Sequence, residues 1–443
     1  MSEPELRVSA QPYKTIVAVS SGAGRSGVAV VRLSGPQVRF ALATIAGCVP
    51  PARRATLRRL RDSEGGLIDT ALILYFPGPG SFTGEDVAEF QVHGSRAVLS
   101  AVIATLTALP DVRLAEPGEF TRRAFEAGKL DLAAVEGLAD LIDSETEWQR
   151  RQALRQMEGA LGEAAATWRG RLIQAMALLE AEIDFSDEGD VSGPVIAQAV
   201  ALAAETHRSL IDALGSFRTG ERVRDGFIVV LAGPPNAGKS SLLNALARRD
   251  VAIVSDAPGT TRDAIELRLD LRGWPVTLID TAGLRDSEDA IEAEGVRRAL
   301  ALGARADLVL RLRPIDSAPN PFVPHARELA IATKADLPGR VLPGEMPVSA
   351  RSGAGIEALL NAIEAEFAGL SAPEPALLTR ERQRRAVAQG AEALERMIGA
   401  RHREAELLAE DVRLAVRALE RLTGRIDSED VLDALFADFC IGK

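Results

Sequence analysis

The stretch from Phe227 to Leu246 leaves few folds open. Phe227-Ile-Val-Val-Leu-Ala232 is a short apolar run of the kind that forms a buried strand. Gly233-Pro-Pro-Asn-Ala-Gly238-Lys239-Ser240 is a glycine-bounded bend, and Ser241-Leu-Leu-Asn-Ala-Leu246 continues as a helix. Strand, bend and helix in the pattern G-x-x-x-x-G-K-[ST] make a cradle for phosphate. Backbone N–H groups curl around the oxygens, and the helix N-terminus adds positive potential. Asn236, Ala237, Gly238, Lys239, Ser240 and Ser241 are the candidate contacts. Lys239 is suited to neutralising β- and γ-phosphates, and Ser240 to holding magnesium. Further strand runs, Val276 to Asp280, Asp307 to Leu312 and Leu329 to Thr333, alternate with helical segments, so a parallel sheet flanked by helices is expected.

The bend alone does not separate one nucleotide from another; the motifs after it do. In Asp280-Thr281-Ala282-Gly283 the aspartate ends a strand, where it can join the magnesium shell, and the Gly283 N–H can reach a γ-phosphate. In Gly259-Thr260-Thr261 the last threonine is a second magnesium ligand, and Ser255, Asp256, Ala257 and Pro258 lead into that loop over the nucleotide. Thr333-Lys334-Ala335-Asp336 supplies the base reader. Asp336 can accept both the N1 and N2 protons of guanine, a donor pair that adenine lacks, while Lys334 lies along the base. Thr333 stands where Asn is usual, which predicts weaker bracing of the loop without loss of specificity. Ser349-Ala350-Arg351 caps the guanine O6 through a backbone N–H. Together the motifs predict a GTP-hydrolysing module. Leu284 follows Gly283, where many small GTPases carry a water-orienting Gln, so another group must act on the water. Asn236 either braces its own loop or helps to hold a monovalent cation.

A chain of 443 residues is too long for one core and predicts two or three domains. Met1 to Lys14 has no apolar centre, and no run reaches about 18 apolar residues, so neither a secretion signal nor a membrane span is expected. Cys48 and Cys440 cannot form a disulfide framework, and a reducing cytoplasm is the expected location. The net charge of −11 argues against broad nucleic-acid binding but leaves room for local basic patches. Two clusters qualify: Arg53, Arg54, Arg58, Arg59 and Arg61, and Arg380, Arg382, Arg384 and Arg385. By itself each reads more simply as a solvated face. Gly22-Ala-Gly24-Arg-Ser-Gly27 fits G-x-G-x-x-G, yet valines follow where a dinucleotide site needs a helix, so it reads as a tight turn. Short strands (Thr15 to Val19, Val28 to Leu33) and a helix from Val98 to Leu109 give way to helical spacing near residue 130. Leu154, Met157, Leu161, Ala165, Trp168, Leu172, Met176, Leu179 and Ile183 form one stripe, which predicts a single amphipathic helix.

Beyond the nucleotide motifs, Gly24-Arg25-Ser-Gly27, Phe82-Thr-Gly-Glu-Asp86, Pro117-Gly-Glu-Phe120, Gly128-Lys-Leu-Asp-Leu132, Gly259-Thr-Thr-Arg-Asp263, Asp280-Thr-Ala-Gly-Leu-Arg285 and the terminal Cys440-Ile-Gly-Lys443 recur together in one family. From Thr15 to Lys443 the chain resembles the MnmE (TrmE) family of tRNA-modification GTPases. The resemblance implies a multidomain α/β and α architecture. An N-terminal α+β tetrahydrofolate-binding and dimerisation domain would span 1–127, and a helical domain 128–222 and 372–443, with a Ras-like G domain inserted at 223–371. It implies a homodimer working with the flavoprotein MnmG (GidA) on C5 of the wobble uridine of certain tRNAs, with carbon from a 5-formyl or methylene tetrahydrofolate. Arg32, Glu89, Lys129 and Lys443 match its folate contacts, a set whose charges suit a carboxylate tail and a ring with donors. Asn236, Ser255, Ala257 and Thr260 match ligands of a potassium ion that helps two G domains meet. Glu292 matches the glutamate acting on the attacking water, and Cys440 a cysteine required for modification. The competing reading is a regulatory GTPase switch with a protein or ribosomal partner and no tRNA chemistry.

Overall fold

Period-two burial along the early strands and period-3.6 burial later divide the chain into a mixed unit and a mainly helical one. The computed structural model describes residues 14–22, 24–184, 192–249, 251–253, 266–280, 306–318, 327–367, 376–399, 404–424, 426, 432, 433, 435, 436, 439 and 442. One compact unit comprises Met1–Ala139 with Glu420–Lys443, and the other Asp140–Leu419.

In the first unit, β1 (Thr15–Val19), β2 (Ser26–Ser34), β3 (Thr56–Arg61), β4 (Leu67–Phe76), β5 (Val87–Gly94) and β6 (Val112–Leu114) form one sheet, ordered β3-β4-β5-β2-β1-β6. All neighbours are antiparallel except β1 and β6. The expected tight turn is the antiparallel β1–β2 connection, with no helix to bind a dinucleotide. Helices α1 (Val38–Ala46) and α2 (Arg96–Thr107) contribute Leu42, Val102 and Leu106 to a core with Val31, Leu33, Ile73 and Phe90. Phe120 of α3 (Glu119–Glu126) packs with Ile16 and Ala18.

The end of the chain closes on this same unit. Phe436 and Phe439 cluster with Val135, which lies on α4 (Leu132–Ile142). Gly118 has φ +68, and a β-carbon there would lie 2.8 Å from the Phe436 ring, so only glycine lets the terminal segment approach. Gly442 accepts a hydrogen bond from Ser20 Oγ at 2.8 Å, just beyond β1.

In the second unit, α5 (Glu147–Met157), α6 (Ala160–Asp184), α7 (Ser192–Gly215) and α8 (Phe217–Asp225) precede the nucleotide module, and α11 (Glu381–Gly399) and α12 (Ala405–Glu420) follow it. Both α6 and α11 pack along α7, so the helices on either side of the module in sequence are partners in space, and the module is an insertion. The stripe from Leu154 to Ile183 is divided: Gly159, at φ +93, ends α5 before α6 begins. The buried side of α5 is also polar: Gln152, Ala153 and Gln156, with Leu154 and Met157 only half-buried. Gln152 Nε2 donates to Gly220 O at 2.8 Å, and Gln156 Nε2 to Leu377 O at 2.6 Å. These side chains satisfy backbone carbonyls beside the insertion, which is why amides are buried there.

The module's sheet comprises β7 (Phe227–Ala232), β8 (Glu266–Leu271), β9 (Trp274–Asp280), β10 (Leu308–Pro314), β11 (Glu328–Thr333) and β12 (Glu345–Val348), ordered β12-β11-β10-β7-β9-β8. Only the β8–β9 pair is antiparallel. Val229, Leu231, Leu278, Leu310 and Ile331 are fully buried, together with Leu242 and Leu246 of α9 (Lys239–Leu246) and Ile363 of α10 (Ile356–Phe367). Among the described residues no helix is long and apolar enough to cross a membrane.

Candidate functional site

Strand β7 sits inside the parallel sheet, and its C-terminal end leads straight into the bend at Gly233. That edge of a parallel sheet is where ligands gather, because helix N-termini converge there. A β-carbon at Gly233 would lie 2.6 Å from Leu312 O, so the bend can press against β10 only with glycine. Asn236 adopts φ 60 and Gly238 φ 90, left-handed conformations that turn successive N–H groups inward. Asn tolerates this region better than most residues. Its side chain is exposed and has no hydrogen-bond partner among the described residues, so within them it does not brace the loop.

Lys239 opens α9 and is buried. Its Nζ donates to Gly233 O at 2.9 Å and Pro234 O at 3.1 Å, which holds the ammonium across the mouth of the bend. Ser240 Oγ donates to Asp280 Oδ2 at 2.9 Å. Asp280 is fully buried at the end of β9, in register with Leu231 of β7, so sheet pairing brings the two motifs together across 40 residues of sequence. A hydroxyl and a carboxylate side by side are hard oxygen donors of the kind magnesium takes.

The loop that carries the candidate base reader follows β11. Thr333 Oγ1 donates to Ala237 O at 2.6 Å in a buried contact, so threonine does tie this loop to the phosphate bend, through one hydroxyl. Lys334 turns the chain at φ 56, and Ala335 N donates to Val348 O at 3.2 Å. Asp336 is exposed, and its Oδ1 accepts a 2.7 Å bond from Ser349 Oγ. That bond, its own backbone N–H and the charge of Arg351 hold the carboxyl below the usual aspartate range. The Asp336 carboxylate is therefore ionised, oriented and open. Ala350 and Arg351 continue from Ser349 in the turn after β12.

Sequence reasoning overlooked Arg313 on β10. It is buried and pairs with Glu345 at 2.5 Å; its remaining donors reach Pro314 O, Ser317 O and Arg340 O. The Arg313 bonds hold the Glu345 carboxyl below its ordinary range despite partial burial. This single side chain ties the segment after β10 to Arg340 and Glu345, at the far end of the loop that follows β11. The alternation Arg311, Arg313 within an apolar strand was the available signal.

In the first unit Arg32 and Glu89 face each other across β2 and β5 and form a 3.0 Å ion pair. The Arg32 guanidinium also lies 5.9 Å from the Phe82 ring and 5.7 Å from that of Phe120. Lys129 Nζ donates to Pro79 O at 2.6 Å, within the same 77–86 loop that carries Phe82. A cation, an anion and an aromatic face thus stand together. Gly442 lies at the end of the adjacent β1. Ser255, Asp256, Ala257, Pro258, Gly259, Thr260, Thr261, Thr281, Ala282, Gly283, Leu284, Glu292, Cys440 and Lys443 lie outside the described residues.

Comparison with known proteins matches nearly the whole length of the chain. The family described as MnmE helical domain matches residues 132–440, and the family described as GTP-binding protein TrmE N-terminus matches 15–129. A protein of Beijerinckia indica subsp. indica named tRNA modification GTPase MnmE is 54% identical, covering 100% of this chain and 99% of its own. Proteins of the same name from Azorhizobium caulinodans and Bradyrhizobium sp. (strain BTAi1) are 53% and 52% identical, each over 97% of this chain and 99% of theirs.

Proposed function

Because the chain belongs to the MnmE family, we propose that it binds and hydrolyses GTP and uses that cycle to drive the modification of tRNA. The observation that carries the nucleotide half is the geometry around Asp336. An ionised carboxylate, aligned by Ser349, is tied by the Thr333 hydroxyl to a lysine-bearing phosphate bend. Among the common purine nucleotides, guanine alone offers two adjacent N–H donors to such an acceptor. Lys239 releases Gly233 O and Pro234 O to meet the β- and γ-phosphates, which replaces two neutral contacts with charge-assisted ones. Magnesium would be held by Ser240 and Thr261, with Asp280 in its outer shell, and would neutralise phosphate charge.

The finer reading extends to the partners. The side-chain oxygen of Asn236, with Ser255, Ala257 and Thr260, would hold potassium and favour the meeting of two G domains in a homodimer. Glu292 would take the role that Leu284 cannot, acting on the attacking water. Arg32, Glu89, Lys129 and Lys443 would hold a tetrahydrofolate derivative, which supplies the carbon; a paired guanidinium and carboxylate beside Phe82 suit a flat ring with donors and acceptors. With the flavoprotein MnmG and Cys440, the product would be an aminomethyl or carboxymethylaminomethyl group on C5 of the wobble uridine. A reducing, cytoplasmic setting fits this chemistry.

Mass analysis of tRNA nucleosides from cells lacking the chain is the direct test. Loss of the C5-modified wobble uridine, restored by the intact gene and not by a Lys239→Met variant, is the expected result. An unchanged nucleoside profile would favour a GTPase switch without tRNA chemistry.

A further inference from the structure

The chain carries an excess of acid, −11 overall, and many of its arginines are matched to carboxylates. Arg113 and Arg123 pair with Glu119, Arg222 with Asp307, and Arg313 with Glu345. The second basic cluster is absorbed in the same way: Arg380 pairs with Asp140, and Arg384 and Arg385 with Glu381. The first cluster is not. Arg53, Arg54, Arg58, Arg59 and Arg61 are all exposed, and none has a carboxylate within ion-pair distance among the described residues.

Their existing contacts orient these groups without neutralising them. Arg53 lies 5.7 Å from the Phe76 ring and donates to Gly80 O. Arg58 Nε donates to Cys48 Sγ at 3.1 Å, and Arg61 to Gly65 O at 2.7 Å. The neighbouring acids are occupied: Asp62 accepts from the N–H groups of Glu64 and Gly66, and Asp69 from His93. Glu64, in the β3–β4 turn, is the remaining carboxylate of this hairpin. Strand β3 is the edge of its sheet, so nothing in the sheet covers its outer side. Leu60 is fully buried, which sends Arg59 and Arg61 to the opposite face, about 6.7 Å apart, while Arg58 stands exposed on Leu60's side of the same edge strand.

We propose that β3 and the turn before it form a docking strip for the phosphodiester backbone of RNA, namely the tRNA that the proposed function requires. The inference rests on that function and adds the place of contact. Guanidinium forks match phosphate oxygens bidentately, and a row of them along an exposed edge follows a chain of phosphates. The strip offers five cations and no set of side-chain acceptors for base edges, so its contribution is positional and independent of base sequence. Two other roles are open to an arginine-rich edge: protection against sheet-to-sheet aggregation, and pairing with an acidic peptide strand. The lack of an ion-pair partner for all five among the described residues favours a polyanion over simple edge protection, which one or two charges already achieve.

The test uses the full chain and an unmodified tRNA transcript, with binding followed by fluorescence anisotropy over a series of salt concentrations. The variant carrying R54Q, R58Q, R59Q and R61Q should bind at least tenfold more weakly near physiological salt. Its slope of log affinity against log salt should fall by roughly 3, since each lost phosphate contact removes about 0.7–0.9. GTP turnover should not change, which certifies the fold, and R384Q with R385Q in the paired cluster should leave tRNA binding intact. Equal tRNA affinity and slope in the quadruple variant and the parent would overturn the strip alone. So would a variant that aggregates while its soluble fraction binds tRNA normally, or one that loses only affinity for poly-glutamate. If the parent chain binds no tRNA at all, the strip and the functional reading fall together.

Discussion

At the scale of single residues, the base reader gives the sharpest expectations. Asp336→Asn removes two charge-assisted acceptor contacts to guanine, so GTP affinity should fall on the order of 10²–10⁴-fold. The carboxamide offers one acceptor and one donor, the pattern complementary to xanthine, so affinity for XTP should rise; competitive nucleotide binding measures both. The same residue fixes a pH expectation. Its folded carboxyl is held below the usual range, so whatever it contributes is complete above the unfolded pKa and is lost only as pH falls through the lower folded value. The KM for GTP should therefore show no Asp336 ionisation above about pH 5. Thr333→Val would leave the buried Ala237 carbonyl without its 2.6 Å partner, which costs about 1–3 kcal/mol and should weaken GTP binding by roughly 5- to 100-fold in the same assay. Asp336 stands out in the sequence as a candidate base reader because T-K-A-D is contiguous. The hydroxyl that aligns it, Ser349, lies 13 residues away and meets it only because β11 and β12 are neighbours.

At the scale of elements, the β8–β9 hairpin and the start of α5 form one fitted contact. Trp148 Nε1 donates to Arg272 O at 3.1 Å, and a β-carbon at Gly273 would lie 2.1 Å from the indole. Gly273 is also at φ +92, so Gly273→Ala meets both a steric and a backbone penalty. It should lower stability by about 1–3 kcal/mol, seen as a drop in melting temperature, and Trp148→Ala should relieve part of that drop in the double variant. β9 of this hairpin ends at Asp280, so the contact with α5 bears on the strand that carries the candidate magnesium-shell carboxylate. In the first unit, Phe436→Ala should cost about 3–5 kcal/mol and free the C-terminal segment to proteolysis. The predicted stripe gives the buried face of α6 (Leu161, Ala165, Trp168, Leu172 and Leu179) but joins α6 to α5, whose buried side is Gln152, Ala153 and Gln156 instead. Hydrophobic spacing cannot announce that Gln152 and Gln156 are needed by carbonyls far along the chain, at Gly220 and Leu377.

At the scale of the whole molecule, the proposed cycle couples two chemistries that belong to separate compact units. Lys239→Met should abolish GTP hydrolysis and tRNA modification together, and modification at full rate in a hydrolysis-dead variant would refute the coupling. Turnover should be faster in potassium than in sodium, and equal rates would remove the cation from the scheme. The sequence by itself determined the phosphate bend, the order of its companion motifs and the α/β character of the insertion, because a nucleotide is gripped largely by contiguous backbone whose conformation glycine and short polar residues dictate locally. Tertiary structure alone decided which charges are neutralised and where the chain's end goes. Arg313 finds Glu345, the arginines of β3 find no acid among the described residues, and Gly442 reaches Ser20 across 422 residues. Each of those outcomes depends on which distant segment the folded backbone carries into reach, and no local pattern of residues encodes that.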